Sequence, residues 1–427
     1  MPSVVRVGLL GCGTVGNALA ELVHADADLL AERTGMRLEL SRVAVRDLSK
    51  ARSVPVELLT TDAGSVVADP SVDVVVELMG GLEPARQLVL EALANKKPVV
   101  TANKALLSTY WSELFGQAAS SGVDLLFEAA VGGAVPLIRA IRESLAGETI
   151  RSVMGIVNGT TNYILTRMSE EGVSYDEALA EAQRLGFAEA DPSADVEGHD
   201  AAQKAAILAT IAFGREVRAG QVFTEGITGL SPGDISFVRS LGYEVKLLAV
   251  AEQVASGSVA VRVHPAMIPA VHPLAGVRGS FNAVFVDGEA VGEMMFYGRG
   301  AGGMPTAAAV LGDLVDAAHN LTTGGTGRVT VAPPATVAPV DELETRYFIS
   351  LDVEDRPGVL AAVAGVFGDN DVSIRSMEQV GLGSEAHLIF VTHRAREDRV
   401  QSTLRGLEQC APVKRIGGFL RVAGEAE

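Results

Sequence analysis

Two cysteines and one tryptophan in 427 residues set the first limits. Cys12 and Cys410 cannot build a disulfide framework, and so few thiols fit a reducing compartment. Aromatic residues make up only 5% of the chain, which with 46 glycines favours an α/β protein rich in strand-to-helix turns over a β-sandwich. Basic residues are outnumbered 53 to 35, for a formal net charge of −18. Nucleic acid and anionic membrane would both be repelled, so neither is expected as a partner. An anion site must then be local, built from backbone amides and a few placed lysines or arginines. No apolar run approaches the roughly 18 residues of a membrane span. The opening MPSVVRVGLL leads straight into a strand pattern, without the basic segment, apolar core and cleavage site of a secretory signal. A cytoplasmic location is expected.

What is present alternates. Val4–Leu10 is a short apolar run of the buried parallel-strand type, and Asn17–Leu30 reads as a helix. Further strands are expected at Leu38–Val45, Val72–Leu78, Pro98–Thr101 and Leu125–Ala129, with helices at Pro84–Asn95 and around Ser112–Ser121. This spacing implies βαβ units and a doubly wound parallel sheet of Rossmann type over residues 1–133. Residues 134–304 read as an α+β substrate and dimerisation domain, with helices at Val135–Leu145, Tyr175–Leu185 and His199–Phe213 and strands at Val153–Gly159, Val245–Ala251, Ser258–His264 and Ala283–Asp287. Asn158–Asn162 reads as a polar turn closing the first of these strands. Helix Pro305–Asn320 is expected to return to the first domain. Residues 321–344 carry glycines and prolines in the manner of a linker. Residues 345–427 then show a βαββαβ order, a ferredoxin-like topology.

Gly11-Cys-Gly-Thr14-Val15-Gly16 lies between the first strand and the first helix, the context that gives G-x-G-x-x-G its meaning. The first glycine allows a tight turn, the second lets a pyrophosphate approach the backbone, and the third lets helix and strand pack closely. The helix N-terminus adds unpaired N–H groups and partial positive charge. After the second strand an acid would bind the ribose of NAD, and an arginine would suit the 2′-phosphate of NADP. Arg46 stands there, with Lys50 a helical turn later if a helix begins; Asp47 is adjacent, so NADP is favoured and NAD stays open. Gly303 ends a second glycine-rich loop and is expected to border the cofactor.

Two stretches carry the chemistry. Lys104 lies just past the C-terminal end of a parallel strand, the edge where open α/β sheets bind ligands. Asp200 and Lys204 are four apart, so on a helix they share a face, and the following Ala205–Phe213 is too apolar to be mainly solvated. A lysine can stabilise a developing alkoxide and move a proton. There is no His/Cys cluster of transition-metal spacing.

With TANKALLS, EAAVGGAVPLIRAI, GIVNGTTNYIL, GFAEADPSADVEGHDAAQK and FYGRGAGGMPTA in this order, the chain resembles the homoserine dehydrogenases over nearly its whole length. The last segments resemble an ACT domain, the trailing module of the longer bacterial members. The resemblance implies reversible NAD(P)H-dependent reduction of L-aspartate 4-semialdehyde to L-homoserine, on the route to threonine, isoleucine and methionine. It implies Lys204 as proton donor, Asp200 orienting it, and Lys104 at the reacting oxygen beside the nicotinamide; which lysine gives the proton stays open. It puts Glu189, Asp195 and Gly186 near the substrate. It further implies a sodium ion held by Glu128, Val131, Gly133 and Val135, L-threonine as an effector of the ACT domain, and a homo-oligomer, dimer or tetramer. Another NAD(P)-dependent dehydrogenase of amino-acid metabolism would need a catalytic histidine with an acid partner, which is not evident. A non-catalytic nucleotide sensor leaves Lys104, Asp200 and Lys204 without a purpose.

Overall fold

The computed structural model describes residues 3–254, 257–327, 331–381 and 385–424. The chain packs as two compact units, one of Met1–Val153, Gln203–Val222 and Asn282–Ala335, the other of Met154–Ala202, Phe223–Phe281 and Thr336–Glu427. The first unit gathers three separate stretches of chain, and of these the helix Gly303–Thr323 packs on the N-terminal sheet.

The first unit holds six strands: β1 (Ser3–Leu10), β2 (Met36–Ala44), β3 (Leu59–Thr60), β4 (Val74–Glu77), β5 (Val99–Thr101) and β6 (Leu125–Leu126), in the order β3-β2-β1-β4-β5-β6. Every pairing is parallel. Val74, Val75, Val76, Val99 and Val100 are fully buried, as expected of strands covered on both faces. The strand order reverses between β1 and β4, and the carboxyl ends of these two strands open the crevice where such sheets bind ligands. Helix Gly303–Thr323 returns to this sheet: Ala307, Val310, Leu314, Ala317 and Ala318 share one core with Leu9, Leu19 and Val23. Four small residues on the two packed faces, Ala18, Ala307, Ala317 and Ala318, let the helices approach closely.

Several expected elements differ in detail. The first helix is two, Thr14–Ala25 and Ala27–Thr34, and the helix after β5 begins already at Lys104 and runs to Ser121. The strand expected over Leu125–Ala129 stops at Leu126, and Glu128–Ala130 is a 3-10 turn. The helix expected over Val135–Leu145 is reduced to a short segment ending in a π-turn at Ala140–Ser144. No helix begins after Arg46; Asp47 instead accepts from the Ser49 N–H (2.9 Å) and hydroxyl (2.6 Å), a local turn that competes with helix.

In the second unit the polar turn expected at Asn158–Asn162 is the start of a helix, Gly159–Glu171, with Asn158 as its N-cap. Tyr243–Gln253 and Val259–Pro269 pair antiparallel, and Val413–Val422 joins the second of them in parallel. The C-terminal module has the expected βαββαβ order. Its strands lie as Val413–Val422, Tyr347–Glu354, Glu385–Thr392, Ile374–Gly381, and its helices Val359–Asp369 and Glu397–Glu408 share a core with them. Of the segment expected as a linker, residues 328–330 lie outside the described residues. The rest is partly bonded: Glu216 N–H donates to the Pro333 carbonyl (2.7 Å) and Val259 N–H to that of Thr336 (3.0 Å). No helix among the described residues is long and apolar enough to cross a membrane.

Candidate active site

The three glycines of the turn are required for three different reasons. Gly11 has φ +94°, and a Cβ there would lie 2.7 Å from the Leu78 carbonyl oxygen. A Cβ on Gly16 would lie 2.3 Å from the Gly11 carbonyl oxygen. A Cβ on Gly13 would meet nothing within 4 Å, so this position is not needed for packing and stands open for a phosphate at the N-terminus of Thr14–Ala25. Gly303 comes close to the same turn, since its Cβ would lie 3.1 Å from Thr14 Cγ2. Arg46 and Lys50 are exposed at the end of β2. A third cation, Arg52, went unnoticed in the sequence: its Nε donates to the Cys12 carbonyl (3.1 Å) and its Nη1 to that of Lys50 (2.8 Å), tying the loop after β2 to the glycine turn. Cys12 is buried, and burial pushes its thiol pKa up.

At the carboxyl ends of β4 and β5 a polar network fixes the loop before Lys104. Glu77, fully buried, accepts from the Thr101 hydroxyl (2.6 Å) and the N–H groups of Met79 (2.7 Å) and Gly80 (3.1 Å). Asn103 caps the Lys104–Ser121 helix by accepting from Leu106 N–H (3.1 Å) and donates to the Gly81 carbonyl (2.7 Å). Lys104 is therefore the first residue of a helix whose start is held on both sides. Ser112 of that helix donates to Glu216, three residues past the end of helix His199–Phe213.

That second helix carries Asp200 and, one turn on, Lys204. The Asn158 amide nitrogen donates to Asp195 Oδ1 (2.7 Å) and to Asp200 Oδ2 (2.9 Å), while its oxygen accepts from Thr161 N–H (2.9 Å). One side chain thus caps a helix and bridges two carboxylates. The cluster is partly exposed and can receive a cationic group. Gly186 lies at φ +76° just beyond helix Tyr175–Arg184. Glu189 is exposed, and its carboxylate is not brought into the Asn158 cluster. Asp191 and Glu197 are exposed as well, and Glu197 pairs with His199 (3.2 Å).

A model of the homoserine dehydrogenase family matches residues 136–315, one of its NAD-binding domain matches 11–128, and an ACT-domain model matches 347–411. Homoserine dehydrogenase of Corynebacterium glutamicum is 49% identical over 427 residues, 98% of this chain and 96% of the relative. A homoserine dehydrogenase from Thiobacillus denitrificans has a similar structure, with TM-score 0.93 at 40% identity, over 99% of this chain and 100% of that one. This chain belongs to the homoserine dehydrogenase family. A hyperthermophilic archaeal homoserine dehydrogenase in complex with NADPH is a more distant neighbour, with TM-score 0.64 at 27% identity, over 74% of this chain and 98% of that one.

As a homoserine dehydrogenase the chain is an NAD(P)-dependent oxidoreductase, and the glycine turn lies at the start of the segment that matches the family's NAD-binding domain. The remaining expected residues, Glu128, Val131, Gly133 and Val135, are all buried. Glu128 accepts from the N–H groups of Leu137 (2.6 Å), Ile138 (2.9 Å) and Arg139 (2.8 Å), capping the short helical segment that follows. Burial nevertheless pushes its pKa up. Asp313 of the returning helix accepts from Glu128 N–H (2.6 Å), and burial raises its pKa to about 7. Gly133 is forced by close approach, since a Cβ there would lie 2.6 Å from the Gly300 carbonyl. The resemblance implies only that the Asn158–Thr161 turn borders substrate or cofactor; the asparagine N-cap chemistry is a readable signal in the sequence, but its bridging of two acids is not.

Proposed function

We propose that this homoserine dehydrogenase catalyses reversible hydride transfer between NAD(P)H and L-aspartate 4-semialdehyde, giving L-homoserine. The observation that carries this reading is the Asn158 bridge, which joins Asp195 to Asp200, the acid one helical turn before Lys204 on the same helix. Bound nicotinamide supplies or accepts the hydride. Lys204 delivers the proton to the developing alkoxide, Asp200 orients that ammonium, and Lys104 adds positive charge at the reacting oxygen. Asp195 and Glu189 supply the acids for the substrate ammonium, and Gly186 leaves room for the substrate backbone. The polar Asn158–Thr161 turn borders the same molecule. The test is consumption of NADPH on aspartate semialdehyde by the purified chain, with 2-hydroxy acids as controls; turnover of the controls alone would defeat the reading.

NADP is the proposed cofactor, held by Gly11, Gly13, Thr14, Val15, Gly16 and Gly303, with Arg46 and Lys50 at the 2′-phosphate. The exposed cations at the end of β2 and the archaeal relative's NADPH complex support it. Arg46→Ala should weaken NADPH and leave NADH unchanged. A sodium ion suits the all-oxygen set of Glu128 with the Val131, Gly133 and Val135 carbonyls, because three N–H bonds leave a carboxylate about one lone pair and a buried charge gains from a cation. Such an ion would balance that charge, without a part in proton or hydride movement.

The C-terminal module has a cavity of about 460 Å³ lined by Glu354, Asp355, Arg356, Gly358 and Gln379, polar groups suited to an amino acid. Feedback inhibition by L-threonine is proposed to act there, in a cytoplasmic dimer or tetramer serving threonine, isoleucine and methionine synthesis. Asp355→Ala should abolish threonine inhibition while leaving uninhibited turnover intact; inhibition that persists would remove the proposal.

A further inference from the structure

The last strand of the C-terminal module ends in a buried arginine that the reaction does not use. Arg421 is 2% exposed and grips Glu397 with two bonds, Nε to Oε2 (2.9 Å) and Nη2 to Oε1 (2.6 Å). Its Nη1 donates to Glu225 Oε2 (2.7 Å). The guanidinium lies against the rings of Phe223 and Phe419, 5.0 Å from each centroid. With Nε and Nη2 held by Glu397, the planar fork fixes the direction in which Nη1 meets Glu225.

Glu225 opens a segment whose position sets that of the acidic loop. Phe223 and Thr224 pair in parallel with Arg262 and Val263, and Glu225 N–H donates to the Val263 carbonyl (2.8 Å). Two residues on, Ile227 N–H donates to the Val196 carbonyl (2.8 Å). Gly226 has no room for a side chain, since its Cβ would lie 2.3 Å from the Val196 oxygen and 2.6 Å from Glu197 Cα. From the other side Gly198, at φ +87°, has Thr224 Cγ2 at 3.0 Å and the Glu225 oxygen at 3.4 Å from its Cβ position. Residues 196–198 thus rest directly on 224–227, with no slack in between. Asp195 immediately precedes this contact, and Asp200 follows it by two residues.

We propose that Arg421, through Glu225, is a positioning residue for the Asp195–Asp200 cluster, so that the placing of these two carboxylates depends on the last strand of the C-terminal module. This rests on the reading of Asp195 and Asp200 as substrate-facing. Stability alone does not call for such an arrangement, because a buried ion cluster can be replaced by apolar residues at little or no loss of stability. What an arginine fork adds is direction. The tie is contiguous, running from Arg421 to Glu225, across Gly226 and Ile227 to Val196, and so to the two acids that Asn158 bridges.

The test compares Glu225→Ala and Glu225→Gln in the full chain. Glu225 is 36% exposed, so its truncation leaves no buried cavity, and Arg421 keeps Glu397. In L-homoserine oxidation, Glu225→Ala is expected to raise KM about tenfold, the equivalent of one lost charge-assisted bond, with a smaller change in kcat and unchanged affinity for NADPH. Glu225→Gln, whose amide oxygen still accepts from Arg421, should recover most of that loss. Hydrogen exchange over residues 193–200 reads positioning without substrate and should quicken in Glu225→Ala only. Unchanged KM and exchange in Glu225→Ala, or NADPH affinity falling in step with KM, would overturn the proposal. Quickened exchange in Glu225→Ala, together with a parent chain that does not oxidise homoserine, would instead sink the substrate reading and leave the positioning intact.

Discussion

Replacing Asn158 by Asp separates the helix cap from the carboxylate bridge. Aspartate caps a helix as well as asparagine, so the bond accepted from Thr161 N–H survives and the helix start is kept. The amide donors at 2.7 Å from Asp195 and 2.9 Å from Asp200 become carboxylate oxygens. Two like charges at about 2.8 Å repel by about 6 kcal/mol at an effective dielectric of about 20. The three acids will therefore share a proton rather than all ionise. One O–H then stands where two N–H donors stood, so at least one charge-assisted bond worth about 1.5–3 kcal/mol is lost. Steady-state oxidation of L-homoserine should show kcat/KM reduced by about 10- to 150-fold at neutral pH. The loss should deepen as pH rises, because the shared proton leaves and the repulsion returns. A variant whose kcat/KM stays within threefold of the parent across the neutral range would refute the reasoning.

The glycine turn gives a paired prediction. Gly16→Ala, whose Cβ would sit 2.3 Å from the Gly11 oxygen, should destabilise the chain by about 1–3 kcal/mol, whereas Gly13→Ala should leave the melting temperature unchanged and weaken NADPH about tenfold or more. Equal melting temperatures for the two, or unimpaired NADPH binding by Gly13→Ala, would contradict the roles assigned to them. Lys246 is buried on Asn162 and the Val277 carbonyl, and its pKa is lowered by burial, and further by Arg278, to about 8. Because the folded chain gives up this proton before the unfolded chain does, the stability of the parent relative to Lys246→Met should rise between pH 8 and the unfolded value of 10.5, by up to about 3 kcal/mol. Denaturant melts in that window check it; a flat or falling difference would show that the lysine titrates normally.

The nucleotide half was legible because its signals are local. A valine-rich run, a glycine turn and a helix, repeated, leave few topologies, and the observed parallel order is the one expected. The C-terminal βαββαβ order was legible for the same reason. Helix Gly159–Glu171 was not, since Thr160, Thr161, Asn162 and Ile164 prefer extended or turn conformations, and packing of these buried residues overrides that preference. Glu128 shows another limit. A strand pattern runs through it, but its carboxylate turns to cap the next segment, and the strand ends three residues early. Lys104, Asp200 and Lys204 stand out in sequence by type and spacing, yet the residues that hold the acids, Asn158, Glu225 and Arg421, meet only through tertiary contacts between distant segments. Arg52 had no periodic pattern around it to mark it as a tether of the glycine turn.

The central claim, that Lys204 moves the proton in NADPH-dependent reduction of aspartate semialdehyde, is tested most directly by single-turnover NADPH oxidation in the parent and in Lys204→Met, with NADPH affinity measured alongside. The account predicts rapid oxidation by the parent, a loss of at least about 100-fold in the variant, and equal NADPH affinity in both. A Lys204→Met enzyme that oxidises bound NADPH on the aldehyde at the parent's rate would contradict it.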